Sequence, residues 1–318
     1  MKAIIQTDPD NPRSLEWQDV DTPQLRPGEV LVKVAAAGVN RGDLMQAKGM
    51  YPPPRGASEI IGLECAGTIV DSGDTDWATG TEVGCLLAGG GYGEYVAVPQ
   101  GQLTPVPKGY SLAQTAAVVE VACTVWSTLK MTAGLRDGQT VLIHGGAGGI
   151  GTMAIQIAKA LGARVAVTAG SQEKLDVCRE LGADILINYR EQKFVEELKD
   201  QCDVILDIIG ADYLADNMRC LALDGHLVVI AVQSGPKAEL NLGRMLPRRQ
   251  SITAATLRAR DLEDKARIVA ETVKNVWPLL ESGQVTHRLH STLPMREAAQ
   301  AHELLDSGSV TGTLVLEI

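Results

Sequence analysis

The spacing of hydrophobic positions changes at about residue 115. Before it, short Val, Ile and Leu runs such as 30–34 and 67–70 are separated by Gly, Pro and Asp, which is typical of strands joined by turns. After it, Ala- and Leu-rich segments of helical periodicity alternate with short apolar runs. The strands predicted in this second part are Thr140–His144, Arg164–Thr168, Ile185–Asn188, Asp203–Asp207 and His226–Ala231.

Helical segments follow these strands, for example at 149–161 and 172–181. Strands that alternate with helices over short connections predict a parallel, doubly wound α/β sheet. A long amphipathic helix at 262–280, a helix at 296–305 and a strand at 312–318 are predicted to close the chain.

Composition narrows the class of protein. The chain has 318 residues, enough for about two domains, and its 29 Lys and Arg against 39 Asp and Glu give a formal charge of −10. This balance disfavours broad binding to nucleic acid or to an anionic membrane. The six cysteines show no zinc or disulfide spacing, and we expect no signal peptide and no apolar run of about 20 residues. We therefore expect a cytoplasmic protein without a membrane partner.

A glycine-rich turn follows the first predicted strand of the second part. Gly146, Gly148 and Gly151 form a G-x-G-x-x-G pattern between the strand 140–144 and an Ala- and Ile-rich helix. Glycines allow a close backbone approach to a pyrophosphate, and the helix N-terminus offers it free N–H groups. The alternative is a plain strand–helix turn, but the strand–helix units that follow favour a dinucleotide site.

The end of the next strand distinguishes between NAD and NADP. An NAD site usually has Asp or Glu there, whereas this strand ends in Ala169, Gly170 and Ser171, with Lys174 one helical turn further. Hydroxyl, N–H and ammonium donors suit a 2′-phosphate, so NADPH is predicted. The alternative for Lys174 is a solvated helix residue.

At these motifs the chain resembles the zinc-free quinone oxidoreductases, the zeta-crystallin-like branch of the medium-chain dehydrogenases/reductases. The segments that carry the resemblance are 39–46, 49–54, 61–64, 141–144, 168–172, 188–189 and 220–225. The resemblance implies an α/β fold with a Rossmann doubly wound parallel sheet and a GroES-like β-rich domain formed by both chain ends. The implied limits are 1–120, completed by 263–318, for the GroES-like substrate domain and 121–262 for the Rossmann NADPH-binding domain.

The resemblance also implies site residues. Asn40 and Tyr51 would line the nicotinamide and substrate cleft between the domains and act in catalysis. The other implied cofactor contacts are Thr124 at the nicotinamide, Gly148, Gly149 and Ile150 at the pyrophosphate, Gly170, Ser171, Lys174 and Tyr189 at the adenosine phosphate, and Val232 and Leu257 near the nicotinamide half.

Zinc-containing relatives differ at two of these motifs. They have Cys where Asn40 stands and His at the position of Leu63, before the Glu64 position. We therefore expect no metal, and simple alcohol oxidation is disfavoured because zinc polarises the oxygen in that reaction.

The sequence therefore predicts an enzyme that transfers hydride from NADPH to a quinone without zinc or flavin. Asn40 and Tyr51 would donate hydrogen bonds to the acceptor oxygen, and Tyr51 or water would supply the proton. Two alternatives stay open, the reduction of an enone C=C bond and an NADPH-binding regulator or RNA-associated protein with little turnover. The motifs do not distinguish one-electron from two-electron products. A homodimer through the Rossmann sheet edge, with strand edges such as Leu227–Val232, is a family expectation.

Several other residues have two interpretations. Asp43 is either an acid/base in the cleft or, as we favour, a turn residue that orders the Asn40 loop. Glu64 is predicted to be structural, and Cys123 has no basic neighbour that would make it a nucleophile. His287, His290 and His302 are expected to be surface histidines and not a metal site.

The arginines at 244, 248, 249, 258 and 260 form a run without an acidic residue. This run is a cationic rim for cofactor phosphate or an anionic substrate, a nucleic-acid-binding face, or a set of arginines paired with acids from elsewhere in the fold or across a dimer.

Overall fold

Fifteen β-strands and ten α-helices follow one another in the computed structural model, which describes residues 1–318. The strands are β1 (Lys2–Gln6), β2 (Leu15–Asp19), β3 (Glu29–Val39), β4 (Glu64–Asp71), β5 (Glu82–Leu86), β6 (Tyr95–Pro99), β7 (Leu103–Pro105), β8 (Thr140–His144), β9 (Arg164–Ala169), β10 (Ile185–Asn188), β11 (Cys202–Asp207), β12 (Leu221–Val229), β13 (Ser251–Ala254), β14 (Leu289–Pro294) and β15 (Thr313–Glu317).

The helices differ widely in length. They are α1 (Arg41–Ala47), α2 (Leu112–Ala116), α3 (Val119–Val125), α4 (Gly149–Ala160), α5 (Gln172–Glu180), α6 (Phe194–Leu198), α7 (Ala211–Cys220), α8 (Leu242–Met245), α9 (Leu262–Glu281) and α10 (Ala298–Asp306). Short 3₁₀ turns lie at Gln100–Gln102, Leu246–Arg248 and Met295–Glu297, and Trp126–Thr132 is π-helical.

The chain divides into two units. The first comprises residues 1–123, 257–282 and 287–318, and the second comprises 124–256 and 283–286. Two limits of these units lie three and six residues from the predicted ones, but residues 283–286, which were predicted to belong to the substrate domain, belong to the second unit.

The first unit is built on a mixed sheet of seven strands. Its order is β14-β15-β3-β4-β5-β7, with β6 also paired to β3, and β1 and β2 form a separate antiparallel pair. The last strand of the chain, β15, pairs antiparallel to β3, so the C-terminus completes a sheet that the N-terminal part begins. Alternate residues of β3, such as Val30, Val32 and Val34, face the core of this unit.

The second unit is built on a six-stranded sheet in which every pairing is parallel. Its order is β10-β9-β8-β11-β12-β13. Buried Leu142, Ala166, Ile187, Ile205 and Leu227 lie at its core. The predicted doubly wound α/β fold is therefore confirmed. The strand order reverses beside β8, and in such sheets ligands bind at the carboxyl ends of the strands near this point.

One prediction about this sheet is wrong. Residues 227–232 do not form a sheet edge, because β12 pairs with β11 on one side and with β13 on the other. The sequence did not reveal β13, since its four residues, Ser251–Ala254, are short and half polar and carry no clear hydrophobic period. The true edges are β10 and β13.

The helical stretch 112–132 is longer and more apolar than the sequence analysis anticipated. By length and composition alone it could cross a membrane, but 78% of its apolar window is buried inside the structure. The core helices of globular proteins commonly pass the same test. The stretch contains Gln114, Glu120 and Lys130, so it is not a continuous apolar run.

Candidate functional site

The turn between β8 and α4 requires its glycines for different reasons. A Cβ on Gly146 would lie 2.9 Å from Val167 Cβ and from Cys178 Sγ, and one on Gly151 would contact the carbonyls of Gly145 and Gly146. A Cβ on Gly148 would meet only the Gly145 carbonyl oxygen, at 3.6 Å. Gly148 is therefore not required by packing within the protein.

Gly148 is the N-cap of α4, and Gly149 and Ile150 open the first turn of this 12-residue helix. The first N–H groups of an α-helix have no partner within the helix and carry a partial positive charge. The open space at Gly148 together with these donors makes the turn suitable for a phosphate group.

A second group of predicted residues lies at the ends of β9 and β10. Ala169 and Asn188 are direct register partners, which brings Gly170 and Tyr189 together. A Cβ on Gly170 would lie 2.5 Å from the Tyr189 hydroxyl oxygen, so the ring takes up space that glycine leaves free and would have to move for any other residue. At this edge of the sheet, Tyr189, which is 45% exposed, lies beside Gly170.

Ser171 caps the helix that follows β9. Its hydroxyl accepts a hydrogen bond from the backbone N–H of Lys174 at 3.4 Å, which fixes the start of α5. Lys174 is half-buried at the third position of the helix, whereas its neighbour Glu173 is exposed. No carboxylate stands at the end of β9, so this corner carries donors and a positive charge.

Val232, another predicted cofactor contact, lies at the carboxyl ends of β11 and β12. Asp207 ends β11 and accepts hydrogen bonds from the N–H groups of Ile209 and Gly210, at 2.7 and 3.2 Å. A Cβ on Gly210 would lie 2.9 Å from Val232 Cα, so Val232 packs against this turn at the same edge of the sheet. Val232 is exposed there.

Thr124 is buried in α3, and its carbonyl accepts the hydroxyl of Thr128 at 2.6 Å. The π-helical segment that follows packs against β11 and β12.

Asn40, the predicted catalytic amide, is the N-cap of α1 in the first unit. Its Nδ2 donates to Oε1 of Glu64 at 2.8 Å, and its backbone N–H donates to Oδ2 of Asp43 at 2.7 Å. The predicted role of Asp43 as the residue that orders the Asn40 loop is confirmed. Oε2 of Glu64 accepts the backbone N–H of Glu120 at 2.8 Å, which agrees with a structural role for Glu64.

Both of these carboxyl groups are fully buried. Burial raises the pKa of Asp43 from 3.8 to about 7, and burial followed by the charge of Glu120 raises the pKa of Glu64 well above 4.5. The hydroxyl of Tyr92 donates to Oδ2 of Asp43 at 3.1 Å and also lies 3.3 Å from Nε2 of His302. Asp43, Tyr92 and His302 thus form a buried polar chain behind Asn40.

The histidine predictions need correction. His302 is 4% exposed and not a surface residue, and burial lowers its pKa to about 4. His287 is half-buried, and burial lowers its pKa to about 4 as well, whereas His290 is exposed. The three histidines do not form a cluster, and no group of three or more His, Cys, Asp or Glu side chains is arranged to bind a metal ion. His302 packs against Tyr92, which is 210 residues away in the chain, and the local sequence does not reveal this contact.

Tyr51, the second predicted catalytic residue, lies just beyond α1. Its backbone N–H donates to the carbonyl of Met45 at 3.2 Å, and its ring lies over the first turn of α1 beside Gly42. The guanidinium of Arg258 stacks on this ring, 4.9 Å from its centroid. Leu257 is buried next to Arg258 in the chain. The first unit therefore brings Asn40, Tyr51 and Leu257 to one region.

The arginine run is largely neutralised by acids from elsewhere in the fold. The ion pairs are Arg244–Asp200 at 3.2 Å, Arg248–Asp200 at 2.9 Å, Arg249–Asp224 at 2.6 Å and Arg260–Asp264. The remaining member, Arg258, is buried and does not face solvent. The interpretation as paired arginines is confirmed, and no cationic rim is formed by this run.

Neither the Cys123 thiol nor the two positions that hold zinc in relatives provides a reactive centre. Burial raises the pKa of the Cys123 thiol to about 12, so it is not an activated nucleophile, in line with the prediction. The positions that hold zinc in zinc-containing relatives carry Asn40, whose amide is engaged with Glu64, and Leu63, which has no metal-binding atom. The residues present do not fit a catalytic zinc ion.

Sequence reasoning missed three residues of this region, namely Tyr92, His302 and Arg258. Tyr92 follows Gly89–Gly91 and reads locally as a loop residue. His302 and Arg258 were singled out, the first as a surface histidine and the second in the arginine run, but nothing local marks either residue as buried.

Comparison with known proteins agrees with this geometry. Residues 26–108 match the alcohol dehydrogenase GroES-like domain, and residues 149–276 match the family described as zinc-binding dehydrogenase. A quinone oxidoreductase of Pseudomonas aeruginosa is 34% identical over 316 residues, covering 96% of both chains.

Solved structures show the same fold over the whole chain. The quinone oxidoreductase of Escherichia coli, in complex with NADPH, is 27% identical with a TM-score of 0.88, covering 100% of this chain and 99% of that one. A 2-haloacrylate reductase is 27% identical with a TM-score of 0.86 over the same shares. The chain also matches part of a polyketide synthase of Mycobacterium tuberculosis, of which it spans 15%. The chain belongs to the medium-chain dehydrogenase/reductase superfamily, in its quinone oxidoreductase branch.

Proposed function

We propose that this protein is an NADPH-dependent, zinc-independent quinone reductase. The observation that carries the proposal is the sheet corner at β9 and β10, where Gly170, Ser171, Lys174 and Tyr189 meet and no carboxylate stands. An NAD-specific site would place an acidic residue there to bind the ribose hydroxyls. The NADPH complex of the Escherichia coli relative supports the same cofactor.

The residues of the second unit fit NADPH. Gly148 leaves open space in front of the first turn of α4, where Gly149 and Ile150 would offer N–H groups to the pyrophosphate. Ser171 and Lys174 would bind the 2′-phosphate, with Tyr189 beside the adenine. Thr124 and Val232 would contact the nicotinamide half, for which Leu257, in the first unit, is a further predicted contact.

When bound, NADPH supplies the hydride that reduces the acceptor. Asn40 and Tyr51 would donate hydrogen bonds to an acceptor oxygen and stabilise the negative charge that develops on it. Glu64 and Asp43 hold Asn40 from two sides, so its amide is preorganised. A quinone is already electron-poor, so hydrogen-bond donors suffice and a Lewis acid is not required.

The reduction of an α,β-unsaturated carbonyl is the second candidate function. It is favoured by the similarity to a 2-haloacrylate reductase over the whole chain. An enone oxygen would use the same two donors, since enones and quinones share a polarised carbonyl conjugated to C=C.

An RNA-associated role has little support. Its basis was the arginine run, in which all members except the buried Arg258 are paired with aspartates. The net charge of −10 also disfavours a polyanionic partner.

We also propose a homodimer formed through β13, the open edge of the parallel sheet. Exposed Leu242 and Leu246 precede this strand, and Leu246 is 78% exposed. An open edge flanked by apolar side chains favours pairing with a second copy. The molar masses of Leu246→Asp and of the unchanged protein, measured by light scattering, test this proposal. We expect the unchanged protein to have the mass of a dimer and Leu246→Asp a lower mass. A dimer mass for both proteins would contradict the role of this edge.

The experiment for the proposed function is steady-state NADPH oxidation with quinones after exhaustive removal of metals by a chelator. Retained turnover supports the proposal. A loss of turnover that added zinc restores would contradict the zinc-independent mechanism.

A further inference from the structure

Arg258 is the one buried arginine of the run at 244–260, with 4% of its surface exposed. Its three donor groups reach two regions of the first unit, namely the segment after β5 and the end of α1 with the turn that follows it. Nε donates to the carbonyl of Ala88 at 2.8 Å, Nη1 to the carbonyl of Tyr51 at 2.7 Å and Nη2 to Oε1 of Gln46 at 2.6 Å. The flat guanidinium is therefore fixed in one plane.

Tyr51 meets this guanidinium twice, through its backbone carbonyl and through the face of its ring, which lies 4.9 Å from the guanidinium carbon. A cation held on the face of an aromatic ring restricts the tilt of the ring. On α1, Gly42 provides the second wall, because a Cβ there would lie 3.4 Å from Tyr51 Cε1. The direction of the Tyr51 hydroxyl thus depends on where Arg258 is held.

The surroundings of Arg258 are unusual for a buried charge. It forms no ion pair, and its hydrogen-bond acceptors are two backbone carbonyls and one side-chain amide. Burial lowers the pKa of Arg258, and Tyr51, Asp43 and Glu59 oppose this shift only through longer-range attraction. A buried charge without a carboxylate partner is a costly way to stabilise a fold, which favours a functional reason for its place.

We propose that Arg258 is the positioning residue for Tyr51, holding the phenol ring in the orientation in which its hydroxyl meets the acceptor oxygen. This inference rests on the proposed function, in which Tyr51 donates a hydrogen bond to that oxygen. Arg258 acts through Tyr51 and does not itself contact the acceptor or NADPH.

The test is a double-mutant cycle of Arg258→Lys with Tyr51→Phe, measured as kcat and KM for a para-quinone and Kd for NADPH. Lysine keeps the charge but loses the three-pronged plane of donors. We expect Arg258→Lys to lower kcat about tenfold to hundredfold, since a misplaced catalytic group has effects of that order, with NADPH Kd unchanged. In the Tyr51→Phe background the same substitution should change kcat less than about twofold, because coupled residues are not additive.

Two further variants keep the test decisive. Gln46→Leu removes one hydrogen bond of the guanidinium and keeps the buried arginine, so it should lower kcat several-fold even if Arg258→Lys does not fold. Arg267→Lys changes an exposed arginine on α9 and should leave all constants unchanged.

The outcomes separate the two hypotheses. If the kcat losses of Arg258→Lys and Tyr51→Phe multiply, or if Arg258→Lys and Gln46→Leu leave kcat unchanged, the positioning role is overturned. If Tyr51→Phe alone leaves kcat unchanged, the proposed role of Tyr51 fails, and that result is independent of Arg258.

Discussion

The side-chain amide of Asn40 donates to Oε1 of Glu64 at 2.8 Å, while Oε2 of Glu64 accepts the backbone N–H of Glu120 at the same distance. The contact with Glu120 holds the Glu64 carboxyl group in place, and Glu64 in turn holds the Nδ2 side of the Asn40 amide towards itself. The amide oxygen and the second N–H are not engaged by Glu64. A half-buried amide oriented in this way is suited to bind a ligand without reorganisation.

The first prediction concerns this contact. Asn40→Asp keeps the shape of the side chain but places two carboxyl oxygens about 2.8 Å apart, so the pair will share one proton at neutral pH. We expect kcat to fall about hundredfold at neutral pH and above, because the shared proton leaves no donor for the acceptor, and to recover partly between neutral and acidic pH as the pair takes up a second proton. Turnover measured across this range checks it. A loss that does not depend on pH would contradict the arrangement.

The glycines of the β8–α4 turn allow a matched comparison. Gly148 has an ordinary φ of −76° and open space at its Cβ position, so Gly148→Ala should leave the melting temperature nearly unchanged. It should weaken NADPH binding at least about tenfold, or about 1.4 kcal/mol, because the methyl group occupies the space of the pyrophosphate.

Gly151→Ala is the control for this variant. Its Cβ would contact the carbonyl oxygens of Gly145 and Gly146, so we expect a lower melting temperature. Equal NADPH affinity in Gly148→Ala and the unchanged protein, measured by calorimetry, would remove Gly148 from the cofactor site.

Lys174 provides the test of cofactor choice. Its replacement by alanine should raise the KM for NADPH about tenfold to hundredfold, the usual loss for a charge-assisted hydrogen bond, with little effect on the KM for NADH. Lys199→Ala is a suitable control, because Lys199 is exposed and follows α6, before the amino end of β11. Equal effects of Lys174→Ala on both cofactors would refute the phosphate assignment.

Asp43 makes the stability of the fold depend on pH. Burial raises its pKa from 3.8 to about 7, so the folded state holds a proton that the unfolded chain has already lost between these values. Its stabilising contribution is complete below about pH 4 and is lost as the pH rises through about 7, by up to about 1.4 kcal/mol per pH unit.

The isosteric variant Asp43→Asn should lose this dependence. We expect its free energy of unfolding, relative to that of the unchanged protein, to rise between about pH 5 and about pH 8. The exposed variant Glu59→Gln serves as the control. Parallel stability curves for Asp43→Asn and the unchanged protein in urea would show that Asp43 does not titrate in this range.

Local sequence sufficed for the parts of the site that are local in space. The strand Thr140–His144, the glycine turn and the cap at Ser171 depend on neighbours within a few residues, and the structure has them where the sequence predicted. The fold class also followed from the alternation of strands and helices.

The buried polar chain could not be predicted in this way. Tyr92 and His302 are 210 residues apart, and Arg258 reaches Gln46 across 212 residues. Tertiary packing creates these contacts, and neither periodicity nor spacing marks a residue as buried and charged. The short strand β13 was missed for a related reason, since it is defined by its pairing with β12 and not by its own pattern.

The rate of NADPH oxidation with a matched panel of ortho-quinones, para-quinones and enones, with NADH in parallel, distinguishes quinone reduction from its alternatives. We expect fast turnover of quinones with NADPH and much slower turnover with NADH. Faster turnover of enones than of quinones would contradict the quinone assignment and favour C=C reduction. Tight NADPH binding without turnover of any acceptor would contradict the enzymatic function itself.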